Sequence, residues 1–236
     1  IPANYRGNVF ANIDLVTVSA PGCCEPFASA MRLPLQNVRP LGVSRTDVYY
    51  DEQWRRNCIR EFYQKYPDAK EKKVVLWAPT FRGNPADPGS IELDIPALQQ
   101  ELGEEYLVLT RVHPHMMKKY GKNNCPIVTE RLFPVVDVLI ADYSSLIYEY
   151  LLFGNPMILY VPDLEEYRAA RGFYLDFDEL PGTIVMKEGE LAAAIRRETD
   201  QGQSPDRKRE DFIRRYMSGC DGGATARIAD YIIGTS

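Results

Sequence analysis

The sequence VVDVLIADYSSLIYEYLLFGNP (residues 135–156) contains a short apolar run, a polar turn and a segment that ends at Gly-Asn-Pro. The apolar run, residues 136–141, is too short for a helix and has no polar side, which predicts a strand buried on both faces. The turn DYSS stands where N-cap residues begin a helix, and Gly-Asn-Pro stands where a helix ends. This order of strand, turn and helix is typical of a parallel sheet that is covered by helices.

The polar turn after this strand has two interpretations. A helix N-terminus at the carboxyl end of a parallel strand offers unpaired N–H groups and a positive dipole end, which favours a phosphate ligand. Alternatively, Asp142, Ser144 and Ser145 only cap the helix, which is a common role for these residue types.

The composition places limits on the class of protein. The chain has 236 residues, of which 45% are hydrophobic and 26% are charged, as in soluble globular proteins. Its net charge of -5 argues against nucleic acid as the main partner. The five cysteines are scattered without CxxC spacing, which indicates reduced cytosolic thiols rather than disulfides or a zinc site. No run approaches the roughly 18 apolar residues of a membrane span, and no signal peptide is evident.

Apolar runs and amphipathic segments alternate along the chain. Strands are predicted at residues 13–19, 37–41, 73–78, 106–112, 126–129, 136–141 and 157–161, and helices at 25–31, 51–66, 94–102, 163–170 and from 188 onward. Alternating strands and helices predict an α/β fold with a Rossmann-like, doubly wound parallel sheet. We expect residues 1–236 to form a single nucleotide-binding domain with C-terminal helices over about 188–236. Because the chain begins at Ile1 rather than Met, we also expect it to be a fragment that lacks an N-terminal domain.

The loops after the predicted strands carry the candidate ligand-binding side chains. Ligands of open α/β sheets bind beyond the carboxyl ends of the strands. Arginine offers bidentate donors to a phosphate, and histidine can donate to a phosphate oxygen or exchange protons with it. Taken singly, each arginine is as well explained by a surface ion pair, but their shared position favours a diphosphate site. The candidates are Arg45, Thr80, Arg82, Arg111, His113, Asp142, Ser144, Ser145, Arg171 and Gly172.

Glu149 follows Ser145 by four residues and therefore lies on the same face of the predicted helix, one turn later. A carboxylate does not favour a phosphate, but it can accept hydrogen bonds from ribose hydroxyls. The alternative is a solvated helix residue.

Several common motifs are missing from the sequence. It has no GxxxxGK[ST], no GxGxxG after a strand, no GxSxG and no acidic cluster suited to Mg²⁺. The chain is therefore not predicted to be a P-loop NTPase, a standard dinucleotide dehydrogenase or a serine hydrolase.

Five motifs in order resemble one known family across almost the whole chain. The chain is similar to the CDP-glycerol glycerophosphotransferases, the teichoic acid primases and polymerases of Gram-positive envelopes. The motifs are Gly42-x-x-Arg45-x-Asp47, VLWAPTFRG (75–83), RVHP (111–114), DVLIADYSSLIYEY (137–150) and DLEEYRAARGFYLDFDELPG (163–182).

The resemblance implies a GT-B glycosyltransferase architecture, with this chain as the C-terminal, donor-binding half. It implies that His113, Ser145 and Glu149 contact the diphosphate and ribose of CDP-glycerol, with Arg45, Arg82 and Arg171 nearby. In the implied reaction, with His113 as the catalytic candidate, a glycerol hydroxyl attacks the β-phosphorus and CMP is released. The implied acceptor is a lipid-linked polyol phosphate at the cytoplasmic face of the membrane. No cofactor or metal is expected besides the donor substrate CDP-glycerol.

The sequence departs from the family at three points. The Trp-His-Gly motif of the family's N-terminal domain, whose histidine is the expected base, does not occur in these residues. Ser44 stands where the family often has Pro, and Glu149 where some members have Asp. We therefore expect donor binding from this fragment but no activity from it alone. CDP-ribitol as donor, a GT-B glycosyltransferase that uses a UDP- or CDP-sugar, and a non-catalytic nucleotide-binding module are the alternatives.

Overall fold

The computed structural model describes most of the chain. For residues 82–84, 87–89, 170, 171 and 201 it describes the backbone alone. The described residues are 10, 12–80, 82–84, 87–89, 91–112, 124–173, 177–201 and 206–234.

The chain divides into two compact units. The first unit comprises Ile1–Glu52, Tyr174–Leu180 and Asp206–Ser236, and the second comprises Gln53–Phe173 and Pro181–Pro205. The predicted C-terminal helices are thus shared between the units. The assignment of residues 1–236 to a single domain stays a prediction.

The helices and strands alternate as the sequence predicts. The strands are β1 (Val16–Thr17), β2 (Val38–Arg39), β3 (Lys73–Ala78), β4 (Arg82–Asn84), β5 (Asp87–Gly89), β6 (Tyr106–Thr110), β7 (Val138–Ala141), β8 (Met157–Tyr160) and β9 (Thr183–Val185). The α-helices are α1 (Cys24–Met31), α2 (Glu52–Lys65), α3 (Ile95–Leu102), α4 (Thr129–Leu132), α5 (Leu146–Tyr150), α6 (Leu164–Arg171), α7 (Leu191–Gln201), α8 (Arg207–Tyr216) and α9 (Ala224–Gly234).

The second unit is built on a five-stranded sheet with the order β6-β3-β7-β8-β9, and every neighbouring pair is parallel. Residues 74–78 of β3 are at most 2% exposed, so side chains on both faces of this strand are buried. On one face, Trp77 and Tyr160 pack edge to face with their ring centroids 5.8 Å apart, under side chains of α3 and α7. The predicted α/β fold with a doubly wound parallel sheet is thereby confirmed.

Three local predictions for the second unit differ from the structure. The strand predicted at 126–129 is wrong, because residue 124 makes only an isolated bridge to Thr110 and Thr129 begins α4. Pro126 has no N–H to donate to a ladder, which disfavours a strand there. The β4–β5 hairpin and the strand β9 were not predicted.

The first unit contains a two-stranded parallel sheet, β1 with β2, in which Val16 lies opposite Val38. One apolar cluster of this unit consists of Val18, Ala28 and Val38, with Val16 and two cysteines packed against it. The predicted strands at 13–19 and 37–41 are therefore present but only two residues long.

The Gly42-x-x-Arg45-x-Asp47 motif is part of the packing of the first unit. Gly42 has φ +96°, and a Cβ atom there would lie 2.0 Å from the carbonyl oxygen of Gly219, so only glycine fits. The Asp47 carboxylate accepts hydrogen bonds from the backbone N–H groups of Ala224 at 3.0 Å and Thr225 at 2.7 Å, at the start of α9. Asp47 thus caps a helix that lies far away in the sequence, while Arg45 is exposed.

The stability of the first unit should depend on pH through Asp47. Desolvation acts to raise the pKa of Asp47, but the hydrogen bonds from Thr225 and Ala224 outweigh it and lower that pKa. A carboxyl whose pKa is lowered by folding stabilises the folded state at pH values above its ordinary pKa. This stabilisation is lost as the pH falls through the folded-state pKa. We expect Asp47→Ala to lower the free energy of unfolding by about 1 kcal/mol at neutral pH. The difference should shrink below about pH 4.

Urea unfolding at a series of pH values measures this difference. Asp230→Ala is the matched control, because Asp230 is an exposed residue of the same helix α9. A cost of Asp47→Ala that stays constant down to pH 3 would contradict the proposed role of the carboxylate charge.

Candidate functional site

The carboxyl ends of β3 and β7 lie side by side, with Ala78 opposite Ala141. The next strand of the same sheet after β3 is β6, which lies on one side of this pair, and β8, which follows β7, lies on the other. The strand order therefore reverses between β3 and β7. Open α/β sheets bind ligands at such a switch point, so the loops after these two strands are the first candidates for a binding site.

The side chain of Asp142 joins the two loops at the switch point. Its Oδ1 accepts hydrogen bonds from the Thr80 N–H at 2.8 Å, the Thr80 hydroxyl at 2.5 Å and the Tyr143 N–H at 2.7 Å. Asp142 is 0% exposed, and a buried carboxylate is costly unless such donors surround it. The Asp142–Thr80 bridge therefore fixes the β3 loop against the β7 turn. Direct contact of either residue with a donor stays a prediction.

The two serines of the turn differ in their environment. The Ser144 hydroxyl accepts a long hydrogen bond of 3.4 Å from the Leu146 N–H. Ser145 is exposed and occupies the N-cap position of α5, but its side chain makes no capping hydrogen bond in the described structure. Capping therefore does not explain Ser145, and its hydroxyl lies at the switch point.

The helix that follows the turn is shorter than predicted. The α-helix α5 has five residues and continues as a 3-10 turn, Leu151–Phe153, which ends at Gly154 with φ +76°. Its dipole is correspondingly smaller than that of a long helix. Glu149 lies in this helix as predicted, but it is only 7% exposed, so it is not a solvated surface residue.

Arg111 supports the backbone at the end of β6. Its guanidinium donates to the Cys125 carbonyl oxygen at 3.0 Å, and its backbone N–H donates to the Trp77 carbonyl oxygen at 2.8 Å. In the structure, the side chain of this predicted donor-binding residue is therefore hydrogen-bonded within the protein. A contact with the donor stays a prediction.

Of the remaining predicted site residues, only some are fully described. His113 lies outside the described residues, and of Arg82 and Arg171 only the backbone is described. Gly172 is exposed at the end of α6 with φ +68°, and no described residue lies within 4 Å of the position a Cβ would take. Arg45 belongs to the first unit. The structure therefore brings Thr80, Asp142, Ser144, Ser145 and Glu149 together at the adjacent carboxyl ends of β3 and β7.

An aromatic cluster beside the turn was missed by the sequence analysis. The rings of Tyr143 and Tyr167 stack with centroids 3.8 Å apart, and Phe173 lies 5.7 Å and 5.5 Å from them. The Tyr143 hydroxyl donates to Asp163 Oδ1 at 2.9 Å. The available signal was the recurrence of aromatic residues in the turn and in the YRAARGFY segment.

Within the described ranges, no group of three or more His, Cys, Asp or Glu side chains is placed to hold a metal ion.

The family described as CDP-glycerol:poly(glycerophosphate) glycerophosphotransferase matches residues 6–234, so the chain belongs to this family.

Two curated relatives are primases from Bacillus spizizenii (strain ATCC 23059 / NRRL B-14472 / W23). The chain is 36% identical to the teichoic acid ribitol-phosphate primase, in a match that covers 95% of this chain and 60% of that protein. It is 28% identical to the teichoic acid glycerol-phosphate primase, with 95% and 59% covered. The chain thus spans about three fifths of the length of either relative.

Among solved structures, the wall teichoic acid polymerase TagF matches with a TM-score of 0.75 and 26% identity, over 94% of this chain and 58% of that one. A TagF variant soaked with CDPG matches with a TM-score of 0.75 and 27% identity, over the same shares of the two chains. The fold class predicted from the sequence, a Rossmann-like sheet of GT-B architecture, is confirmed by this likeness.

The Asp142–Thr80 bridge should make a large contribution to stability. We expect Asp142→Asn to lower the free energy of unfolding by about 2 kcal/mol, because an amide N–H₂ would face the N–H and O–H donors. Combined with Thr80→Val, the loss should be smaller than the sum of the single losses, since both changes break one network. Urea unfolding of the four proteins of this double-mutant cycle measures the coupling.

Asp137→Asn is the matched control. Asp137 lies at the amino end of β7 and accepts a single hydrogen bond from the Val74 N–H of β3 at 2.7 Å. We expect a smaller loss there. Strictly additive losses for Asp142→Asn and Thr80→Val would show that the bridge is not a cooperative unit.

Proposed function

We propose that this chain binds a CDP-alditol and forms the donor-binding part of an enzyme that transfers polyol phosphate. The observation that carries this proposal is the match of the glycerophosphotransferase family across residues 6–234. The relatives named above are teichoic acid primases and a polymerase. Transfer to a teichoic acid acceptor is therefore the activity we assign to the whole protein.

The geometry of the switch point supports donor binding there. The exposed hydroxyl of Ser145 opens a helix directly after the central strand β7, where backbone N–H groups favour an anion. We propose that the diphosphate of the donor lies against Ser145, with Arg82, His113 and Arg171 supplying positive charge and hydrogen bonds. We propose that Arg111, Ser144 and Gly172 line the same site and that Thr80 and Asp142 hold its two loops in register. The buried carboxylate of Glu149 would accept hydrogen bonds from the ribose hydroxyls.

The proposed reaction is a displacement at the β-phosphorus. A hydroxyl oxygen of the acceptor forms a new P–O bond, the bond to the bridging oxygen breaks, and CMP leaves with that oxygen. Positioning and neutralisation of the phosphate charge are the main requirements. The proton of the attacking hydroxyl needs a base, and we propose that the base lies outside these 236 residues, because they contain no Trp-His-Gly motif. His113 would act on the diphosphate of the donor.

For the alditol we propose ribitol before glycerol. The family description names CDP-glycerol, which is the donor expected from the sequence. However, the two primases of one organism are covered to nearly the same extent, and over the aligned residues this chain is 36% identical to the ribitol-phosphate primase against 28% for the glycerol-phosphate primase. The acceptor would be a lipid-linked polyol phosphate at the cytoplasmic membrane face. In the part of the chain that is described, no helix is long and apolar enough to span a membrane.

Titration calorimetry with the purified chain tests the donor class. CDP-ribitol should bind more tightly than CDP-glycerol, and both should bind more tightly than a UDP-sugar. The reverse order of the two alditols would overturn the choice of ribitol alone. A clear preference for the UDP-sugar would overturn the proposed function and favour a GT-B glycosyltransferase.

The proposed phosphate contacts predict specific losses of affinity. Ser145→Ala and His113→Ala should each weaken binding of the CDP-alditol by about tenfold, the usual effect of one hydrogen bond to a charged group. The melting temperature should change little with Ser145→Ala, because Ser145 is exposed and its hydroxyl makes no capping hydrogen bond within the described residues.

His115→Ala is the matched control for His113→Ala, since it removes the second histidine of the same segment. The affinity of His115→Ala for the CDP-alditol should stay within about twofold of that of the unmodified chain. This change is smaller than the effect of losing one hydrogen bond. Equal affinities for the unmodified chain, Ser145→Ala and His113→Ala would show that the site lies elsewhere.

A further inference from the structure

The aromatic cluster of Tyr143, Tyr167 and Phe173 connects two segments that leave neighbouring strands. Tyr143 lies in the turn after β7, and Tyr167 lies on α6, which follows β8. Phe173 comes directly after Gly172, at the end of the same helix. The three rings therefore join the middle and the end of α6 to the turn that precedes Ser145.

The link between the turn and α6 has two independent parts. The first is the stack of Tyr143 on Tyr167, with centroids 3.8 Å apart and ring planes 23° from parallel. The second is the hydrogen bond from the Tyr143 hydroxyl to Asp163 Oδ1 at 2.9 Å. Asp163 occupies the N-cap position of α6 but makes no side-chain capping hydrogen bond in the described structure. Its carboxylate accepts from the turn instead.

The end of α6 is attached through Phe173. This ring lies 5.7 Å from Tyr143 and 5.5 Å from Tyr167, and it is stacked on Tyr167 with an interplanar angle of 23°. The helix ends at Gly172, where φ is +68°. A shift of the turn at residues 142–145 would therefore disturb the packing of Phe173 and the loop that contains Arg171 and Gly172.

We propose that these three rings, together with Asp163, form an aromatic clamp that couples the turn at 142–145 to the loop at 171–173. The clamp positions the groups that we assign to the donor diphosphate, and in this respect it rests on the proposed function. Tyr143 and Tyr167 are positioning residues that need not touch the donor. Through the clamp, Ser145 and the segment around Arg171 act together in donor binding.

The alternative is that the ring cluster only fills space, and a different result is then expected. Its loss would lower the stability of the chain as a whole, without a selective effect on two loops. The discriminating measurement is hydrogen exchange of the backbone amides of residues 143–147 and 171–173 in the unliganded chain, because local opening is reported segment by segment.

Tyr167→Leu removes the central ring and should raise exchange in both segments, by about fivefold to tenfold, as expected for the loss of its aromatic pairs with Tyr143 and Phe173. The same variant should weaken CDP-alditol binding by a similar factor. Tyr167→Phe keeps the ring and should restore both properties. Tyr143→Phe removes only the hydroxyl that reaches Asp163 and should raise exchange at 143–147 by a smaller factor, which provides a test if Tyr167→Leu does not fold.

Tyr63→Leu is the matched control. Tyr63 packs edge to face on Phe62 at 5.3 Å, in a groove lined by residues that precede β3, β7 and β8, at the opposite end of the sheet. The Tyr63→Leu substitution removes one aromatic contact of a ring that is half-buried, as the ring of Tyr167 is. Hydrogen exchange at residues 143–147 and 171–173 should not change.

Three results would overturn the clamp. Exchange that rises only at 171–173, exchange that rises equally with Tyr63→Leu, or unchanged donor affinity in Tyr167→Leu would each exclude a coupled positioning role. If the unmodified chain binds neither CDP-ribitol nor CDP-glycerol, the proposed function is wrong instead. The exchange data on the unliganded chain then still decide whether the two loops are coupled.

Discussion

The buried carboxylate of Asp142 is the constraint on which the switch point depends. It is 0% exposed and accepts hydrogen bonds from two donors of Thr80 and one of Tyr143. An ionised group at such a position is tolerated only when donors surround it, so the loops after β3 and β7 must hold one arrangement. The exposed Ser145 follows three residues later. The bridged loops thus hold an exposed polar side chain beside a buried carboxylate that is hydrogen-bonded to the protein.

The sequence predicts the fold well where burial on both faces leaves a clear apolar run. The predicted bounds of β3 agree with the structure, and β7 begins only two residues after the prediction. Prediction failed where pairing depends on distant partners: β9, at Thr183–Val185, lies at the sheet edge, and its second residue is 39% exposed. An edge strand with an exposed side chain lacks the continuous apolar pattern of a central parallel strand. The β4–β5 hairpin has no such pattern either.

The sequence predicted which loops meet at the switch point better than it predicted the role of each residue. The rule that ligands bind at strand ends selects the loops after the strands because it depends only on chain order, and contact of these loops with a ligand stays a prediction. The rule does not distinguish a side chain that meets a ligand from one that holds the loop. Arg111 illustrates this, since its guanidinium lies 3.0 Å from the Cys125 carbonyl oxygen. The stack of Tyr143 on Tyr167 was also missed, because residues 24 positions apart give no local signal.

The family motifs in this chain combine residues that shape the backbone with residues that remain exposed. In the motif at 42–47, Gly42 permits a close backbone approach and Asp47 caps α9, whereas Arg45 is exposed. In the DYSS turn, Asp142 forms the bridge to Thr80, whereas Ser145 is exposed. Both motifs therefore place one exposed polar side chain a few residues from groups that fix its backbone. A ligand-binding side chain requires such support, because affinity falls when binding must also order the loop.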